Sequence, residues 1–181
     1  VVGPMVGIPE LSPNPFEPVG IFMTYPFMIV AKGDAPYSTM EELAAYAQEH
    51  DVLLGHFGAP AIPTRVTMQL ADRLGFEWAA DSAFDNLDCN TLASGDVDVM
   101  STPAGLIGPC LEDLTVLATV TGERLAAAPG APAVREIAPE LDMVLWNGIF
   151  VREGTPQDAK DKIAAAVVKA LKSHDAVSYA E

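Results

Sequence analysis

The sequence predicts an α/β fold in which a mostly parallel sheet is covered by helices on both faces. Three observations carry that prediction. Short apolar runs alternate with amphipathic stretches along most of the chain, the order that lays helices over both faces of a parallel sheet. Half of the 181 residues are hydrophobic, enough to bury a sizeable core. The stretch Val52-Leu53-Leu54-Gly55-His56-Phe57-Gly58-Ala59-Pro60-Ala61-Ile62-Pro63-Thr64 reads as a strand, a glycine turn and a helix start. The opening amides of a helix have no partner within it and sit at the positive end of its dipole. Such a corner can hold a carboxylate or phosphate without a basic side chain.

Taken in order, residues 1–20 are rich in proline (Pro4, Pro9, Pro13, Pro15 and Pro18) and read as an irregular connection. Val19 to Met23 reads as a strand, Thr24-Tyr25-Pro26 breaks it, and Phe27 to Ala31 is a second, wholly apolar strand. Ser38-x-x-Glu41 has the spacing of a capping box, and Met40, Leu43, Ala44 and Ala47 then share a helical face. After the central corner, Val66, Leu70 and Leu74 share a face and Gly75 closes the helix. Phe76 to Ala80 is expected as a short strand. Asp81 or Ser82 is expected to cap a helix that buries Phe84, Leu87 and Leu92 and ends at Gly95. Asp96 to Met100 alternates like a strand, Leu106 to Leu111 is a short helix broken by Pro109, and Thr115 to Val120 is a strand. A loop over 126–132, a short helix over 133–138 and a strand over 144–151 follow. The last helix opens at Gly154-Thr155-Pro156 with Thr155 as N-cap, and carries Ala159, Ile163, Val167, Ala170 and Leu171 on one stripe.

Charge narrows the partners. Lys and Arg total 10 against 25 Asp and Glu, a formal charge of -15. That argues against nucleic acid, whose affinity rests on basic residues neutralising phosphates, and against an anionic membrane surface. No apolar run approaches the ~20 residues that span a bilayer. The opening Val1-Val2-Gly3-Pro4 has no basic n-region and no initiating Met, so it reads as the interior of a longer protein whose export signal lies upstream. Cys89 and Cys110 lie 21 residues apart, and a disulfide, two buried thiols or a redox pair all fit. Buried small hydrophobes are the expectation. With His50, His56 and His174 scattered, no metal site is expected. Gly55-x-x-Gly58 is neither a dinucleotide fingerprint nor a phosphate-binding P-loop, so no cofactor is expected. A catalytic nucleophile with its base is likewise not evident.

Several motifs then fall into one order: the strand at Pro26–Val30, the capped helix, Gly55-x-x-Gly58 with Pro63, Gly95-Asp96-Val97-Asp98-Val99-Met100, the strand Leu117–Val120, Trp146-Asn147-Gly148-Ile149-Phe150, and Gly154-Thr155-Pro156. In this order the chain resembles the Bug-type periplasmic receptors of tripartite tricarboxylate transporters, over residues 19–175. The resemblance implies a periplasmic-binding-protein-like fold of two α/β lobes, of which this chain is a C-terminal portion. Residues 25–121 would form one complete lobe, with 1–24 and 122–181 belonging to the other, incomplete one. It further implies a periplasmic, non-enzymatic receptor that takes a small organic acid from a cleft between the lobes to membrane transporter subunits. The incomplete lobe is expected to self-associate through its open edges. The alternative is a metabolite-sensing or enzymatic α/β protein that uses a Cys/His site and no transporter.

By the resemblance, ligand-binding positions are Thr24 and Tyr25 at the crossing, His56, Phe57, Gly58, Ala59 and Ala61 in the first loop, Ser82 and Phe84 in the second, and Ser101 and Thr102 after the next strand. The family's Ser/Asn/Gly-rich first loop has here become His56-Phe57-Gly58-Ala59-Pro60-Ala61, and its Tyr-Lys-Gly has become Ser82-Ala83-Phe84. These departures favour a more apolar or aromatic acid than a di- or tricarboxylate. His56 either donates to the ligand's carboxylate or caps the strand end at the surface.

Overall fold

Apolar runs that alternate with amphipathic ones do form a helix-covered sheet. A computed structural model describes residues 14–141 and 145–173. Pro4, Pro9, Pro13, Val144 and His174 lie outside the described residues. In chain order the elements are β1 (Phe16–Thr24), β2 (Phe27–Lys32), α1 (Met40–Tyr46), β3 (Leu53–His56), α2 (Ile62–Leu74), β4 (Ala80–Ala83) and α3 (Cys89–Ser94). They continue with β5 (Val99–Pro103), α4 (Ala104–Ile107), β6 (Leu114–Val120), α5 (Val134–Ile137), β7 (Trp146–Arg152) and α6 (Gln157–Leu171). Tight 3-10 turns cover Gly108–Asp113 and Pro139–Leu141.

The chain divides into two compact units, one spanning Tyr25–Leu145 and one built from the flanking segments. The larger unit holds a five-stranded sheet in the order β4-β3-β5-β2-β6. β3 runs parallel to β4 and β5, while β2 runs antiparallel to both β5 and β6. The mostly parallel sheet therefore has one reversed strand, β2, in its interior between β5 and β6. β2 is an interior strand because both its faces are apolar: Met28, Ile29, Val30 and Ala31 are fully buried. Its side chains alternate between two cores. Phe27, Ile29 and Ala31 join Met40, Leu43, Val66 and Leu70 of α1 and α2 on one face. Met28 and Val30 join Leu87, Leu92, Val97 and Ile107 on the other.

Some expected boundaries move, each for a local reason. Residues 122–145 do not return to the flanking unit. Ala131, Ala133, Val134, Ala138 and Leu145 are buried in the first core, and Ala133 bridges to Thr119 beside β6. The cap of α1 is Thr39, not Ser38: its hydroxyl accepts from the Glu42 amide at 3.1 Å, and Glu42 accepts from the Ser38 amide and hydroxyl at 2.7 Å. Two overlapping Ser/Thr-x-x-Glu spacings exist, and the second wins. Thr39→Ala is expected to cost about 1 kcal/mol, read as a lower urea midpoint, while Ser38→Ala changes it less. The strand expected over 76–80 starts later. Phe76 is drawn into the first core with its ring against Trp78, so pairing with β3 begins at Ala80, opposite Leu53. Asp81 and Ser82 therefore lie in β4, and Asp88 caps α3 by accepting from the Asn90 amide. Gly75 and Gly95 close α2 and α3 in the left-handed region, as their sequence positions predict. α4 stops just short of Pro109, and the chain tightens into a 3-10 turn.

Cys89 and Cys110 form a disulfide between α3 and that turn, which replaces the expectation of two buried thiols. Both sulfurs sit on the sheet face that α3 covers.

The flanking unit is a two-stranded antiparallel sheet, β1 with β7, carrying α6. Glu17 ties it together. Its carboxylate accepts from Lys160 Nζ at 2.7 Å and from the Gly154 amide at 2.8 Å, which holds it below the usual carboxylate range. Thr155 does not cap α6. Its hydroxyl turns back to donate to the Arg152 carbonyl at 2.6 Å, and Pro156 takes the cap position. No residue of α6 is buried, and Ile21, Val168 and Leu171 are 62%, 51% and 42% exposed. No helix among the described residues is long and apolar enough to cross a membrane.

Candidate functional site

Strand register brings the expected loops to one end of the five-stranded sheet. Phe27, the first residue of β2, pairs with both Pro103 and Val120, the last residues of β5 and β6. His56, the last of β3, pairs with Ala83, the last of β4. The loops leaving β3, β4, β5 and β6 thus gather at the carboxyl end, where open α/β sheets accept ligands.

The corner from β3 to α2 is the centre of this end. Gly58 takes φ 96°, a turn that a side chain would strain, and its carbonyl accepts from the Ala61 amide at 3.0 Å. Ala61 is the N-cap of α2 and has no side chain with which to cap it. Pro63 has no amide hydrogen, and Ile62 and Thr64, at the first and third helical positions, have no partner inside the helix. An anion is the natural complement of such an end.

The His56 imidazole and the Thr102 hydroxyl expected here are engaged inside the unit. His56 is only 2% exposed. Its Nδ1 accepts from the Gly58 amide at 2.8 Å, and its Nε2 lies 2.6 Å from Asp81 Oδ1. An amide can only donate, so Nδ1 is unprotonated and the Nε2 proton goes to Asp81. His56 has no ring nitrogen left for a ligand carboxylate, which corrects the reading that it donates to one. Ser101 and Thr102 are buried strand residues that point to opposite faces of the sheet. Ser101 Oγ meets Thr67 Oγ1 at 3.1 Å, and Thr102 donates to the Leu87 carbonyl at 2.6 Å. Ser101 is the acceptor in its contact, whereas Thr102 spends its one hydroxyl hydrogen inside the unit.

Other positions remain accessible. Ala59 is exposed, Phe57, Gly58 and Ala61 are half-buried, and Ser82 is exposed on β4. The ring of Phe57 meets Phe27 edge-on at 6.0 Å, and Phe27 meets Tyr25 at 5.9 Å, so three aromatic rings line up at the strand ends. Phe84 is half-buried against the second core, and its amide donates to the His56 carbonyl at 2.9 Å. Thr24 ends β1, in the flanking unit.

Arg124, which follows β6 out of the sheet, is occupied. Its guanidinium grips Glu136 through Nε and a terminal nitrogen at 2.9 Å each, and reaches the Pro129 and Gly130 carbonyls. Arg124 first, then the Ala133 amide, lowers the Glu136 carboxyl below the ordinary range. That contribution is present above the ordinary carboxylate range and is lost as pH falls through the lowered value. Among the described residues no His, Cys, Asp and Glu gather as a metal site. Asp81 escaped the sequence reading. It lies 25 residues from His56, and only the β3–β4 register, which exists in three dimensions alone, joins them.

The model of the tripartite tricarboxylate transporter family receptor matches residues 8–180. The chain belongs to that family. The MatC protein of Rhodopseudomonas palustris, solved with bound malate, is 25% identical, with a TM-score of 0.77 over 91% of this chain and 58% of its own. The periplasmic binding protein BugD is 23% identical, with a TM-score of 0.75 over 91% of this chain and 57% of its own. A protein encoded in the tcbD–tcbE intergenic region of Pseudomonas sp. (strain P51) is 22% identical over 94% of this chain. This chain spans about half, 53%, of that relative's length. Membership in this receptor family, with its periplasmic-binding-protein-like α/β fold, agrees with the resemblance read from the motifs.

Proposed function

We propose that this chain is part of a periplasmic solute-binding receptor that captures a small organic carboxylate and delivers it to a tripartite tricarboxylate-type transporter. The observation that carries the reading is the uncapped N-terminus of α2 at the carboxyl end of the sheet. Its free amides favour an anion and require no cationic side chain. The relatives support the ligand class: MatC holds malate, and a second R. palustris protein of the same fold holds adipate. On this reading Tyr25, Phe57, Gly58, Ala59, Ala61, Ser82 and Phe84 line the ligand, with Thr24 at the crossing. The rings of Tyr25, Phe57 and Phe84 favour an acid with an apolar or aromatic part, because ligand sites are mostly apolar with few placed polar groups. The net charge of -15 opposes anions only at range, since salt screens it beyond about 8 Å.

The Cys89–Cys110 disulfide supports an oxidising compartment such as the periplasm. It also ties up both sulfurs on which the Cys/His enzymatic alternative depends. The exposed Ile21, Val168 and Leu171 support self-association through the flanking unit, to be read by sedimentation.

The test is thermal unfolding of the full chain with malate, adipate and aromatic monocarboxylates. An acid present at 100 times its Kd should stabilise by about 2.7 kcal/mol, read as a raised Tm. If no acid raises the Tm, the receptor reading fails.

A further inference from the structure

The geometry points to His56 as the positioning residue of the carboxylate-gripping loop: its neutral ring, clamped between Asp81 and Gly58, holds the turn that presents the α2 amides. This rests on the reading of the α2 N-terminus as the anion site. His56 is buried, and both its ring nitrogens are used. Nδ1 accepts the Gly58 amide at 2.8 Å and Nε2 donates to Asp81 at 2.6 Å. The Gly58 amide is thereby pulled inward and Gly58 is fixed at φ 96°, with its carbonyl turned to the Ala61 amide. Ala61 in turn accepts from Arg65 at 3.1 Å as α2 begins. The ring therefore stands two hydrogen bonds behind the free amides of Ile62 and Thr64. The His56 carbonyl accepts from the Phe84 amide, so the same residue also sets where the second loop leaves β4. Asp81, with its side chain 49% exposed on the edge strand, selects the tautomer by taking the Nε2 proton. A loop without hydroxyl side chains is rigid here because the imidazole behind it replaces them.

Three substitutions separate the two ring contacts. His56→Asn keeps an oxygen where Nδ1 accepts, His56→Gln keeps a donor towards Asp81, and His56→Ala removes both. In the full chain, malate and adipate affinity measured by calorimetry should fall about tenfold or more in His56→Ala and His56→Gln, a change of about 1.4 kcal/mol. His56→Asn should stay within about threefold of the parent. Nitrogen-15 NMR of the parent should show the proton on Nε2 and coupling of Nδ1 to the Gly58 amide. Protection of that amide from exchange should be lost in His56→Ala and kept in His56→Asn. Asp81→Ala, at an exposed position that leaves the core filled, should let the ring sample the other tautomer. Equal losses in His56→Asn and His56→Ala, or a Gly58 amide that exchanges alike in both, overturn the proposal. If the parent binds neither these two acids nor an aromatic monocarboxylate, the receptor reading loses its support, while the amide and tautomer measurements still decide the role of His56.

Discussion

Ala61→Asp is expected to make the protein more stable and a poorer receptor at once. Ala61 sits at the N-cap of α2 with extended backbone, φ -66° and ψ 134°, and offers no capping oxygen. An Asp there accepts the Thr64 amide at the third helical position; the second position, Pro63, has none to give. Replacing Ala by a capping residue is worth about 1 kcal/mol, and the carboxylate also meets the positive end of the dipole. The same carboxylate then occupies the amide that a ligand acid would use. Affinity for malate should fall about tenfold or more. Urea unfolding and calorimetric titration read the two effects on one sample. Ala61→Asn, which caps without charge, should give a similar stability gain and separates blockage of the amide from repulsion of the ligand. A variant that is stabilised yet binds malate as the parent does would place the ligand away from these amides.

Removing the disulfide should be the largest change in stability. Cys89 and Cys110 close a loop across a separation of 21 residues. Releasing such a loop in the unfolded chain costs about 3 kcal/mol on the chain-entropy account. The double variant Cys89→Ser with Cys110→Ser should therefore unfold at a clearly lower urea concentration, and thiol reductant should lower the parent's midpoint but not the variant's. The bridge lines a surface cavity with Lys32 and Gly33, at the far end of β2 from Phe27. Ligand affinity below the unfolding transition should accordingly be preserved. A loss of well under about 1 kcal/mol would show that the bond constrains little in the unfolded state.

The two expectations rest on different kinds of information. The α2 corner was legible in advance because its signals are local: an apolar run, Gly55 and Gly58, Pro63, and a helical face of Val66 and Leu70. The same holds for β2, whose unbroken apolar run marks a strand buried on both faces, and for Gly75 and Gly95, which end their helices. The disulfide was one of three open readings, because a spacing of 21 residues does not say whether two sulfurs meet.

The hydroxyls show why the site was only half legible. Ser101 and Thr102 follow the strand directly and look free in one dimension. In the sheet they alternate between faces, where Ser101 accepts from Thr67 and Thr102 donates to the Leu87 carbonyl. His56 looked like the ligand's partner for the same reason, and its true partner, Asp81, is on a strand expected to be the cap of a helix. Residues from 122 onwards were assigned to the flanking lobe by the family resemblance alone, yet Ala131, Ala133 and Val134 fill the first core.

By itself the sequence determined the α/β class, the family, the glycine stops of α2 and α3 and the strand–turn–helix corner, because periodicity and turn chemistry act over a few residues. Only the tertiary structure decided the reversal of β2, the Cys89–Cys110 bond and which polar groups stay free at the sheet end. Those outcomes depend on strand register, which joins residues far apart in the chain and is written in no single stretch of it.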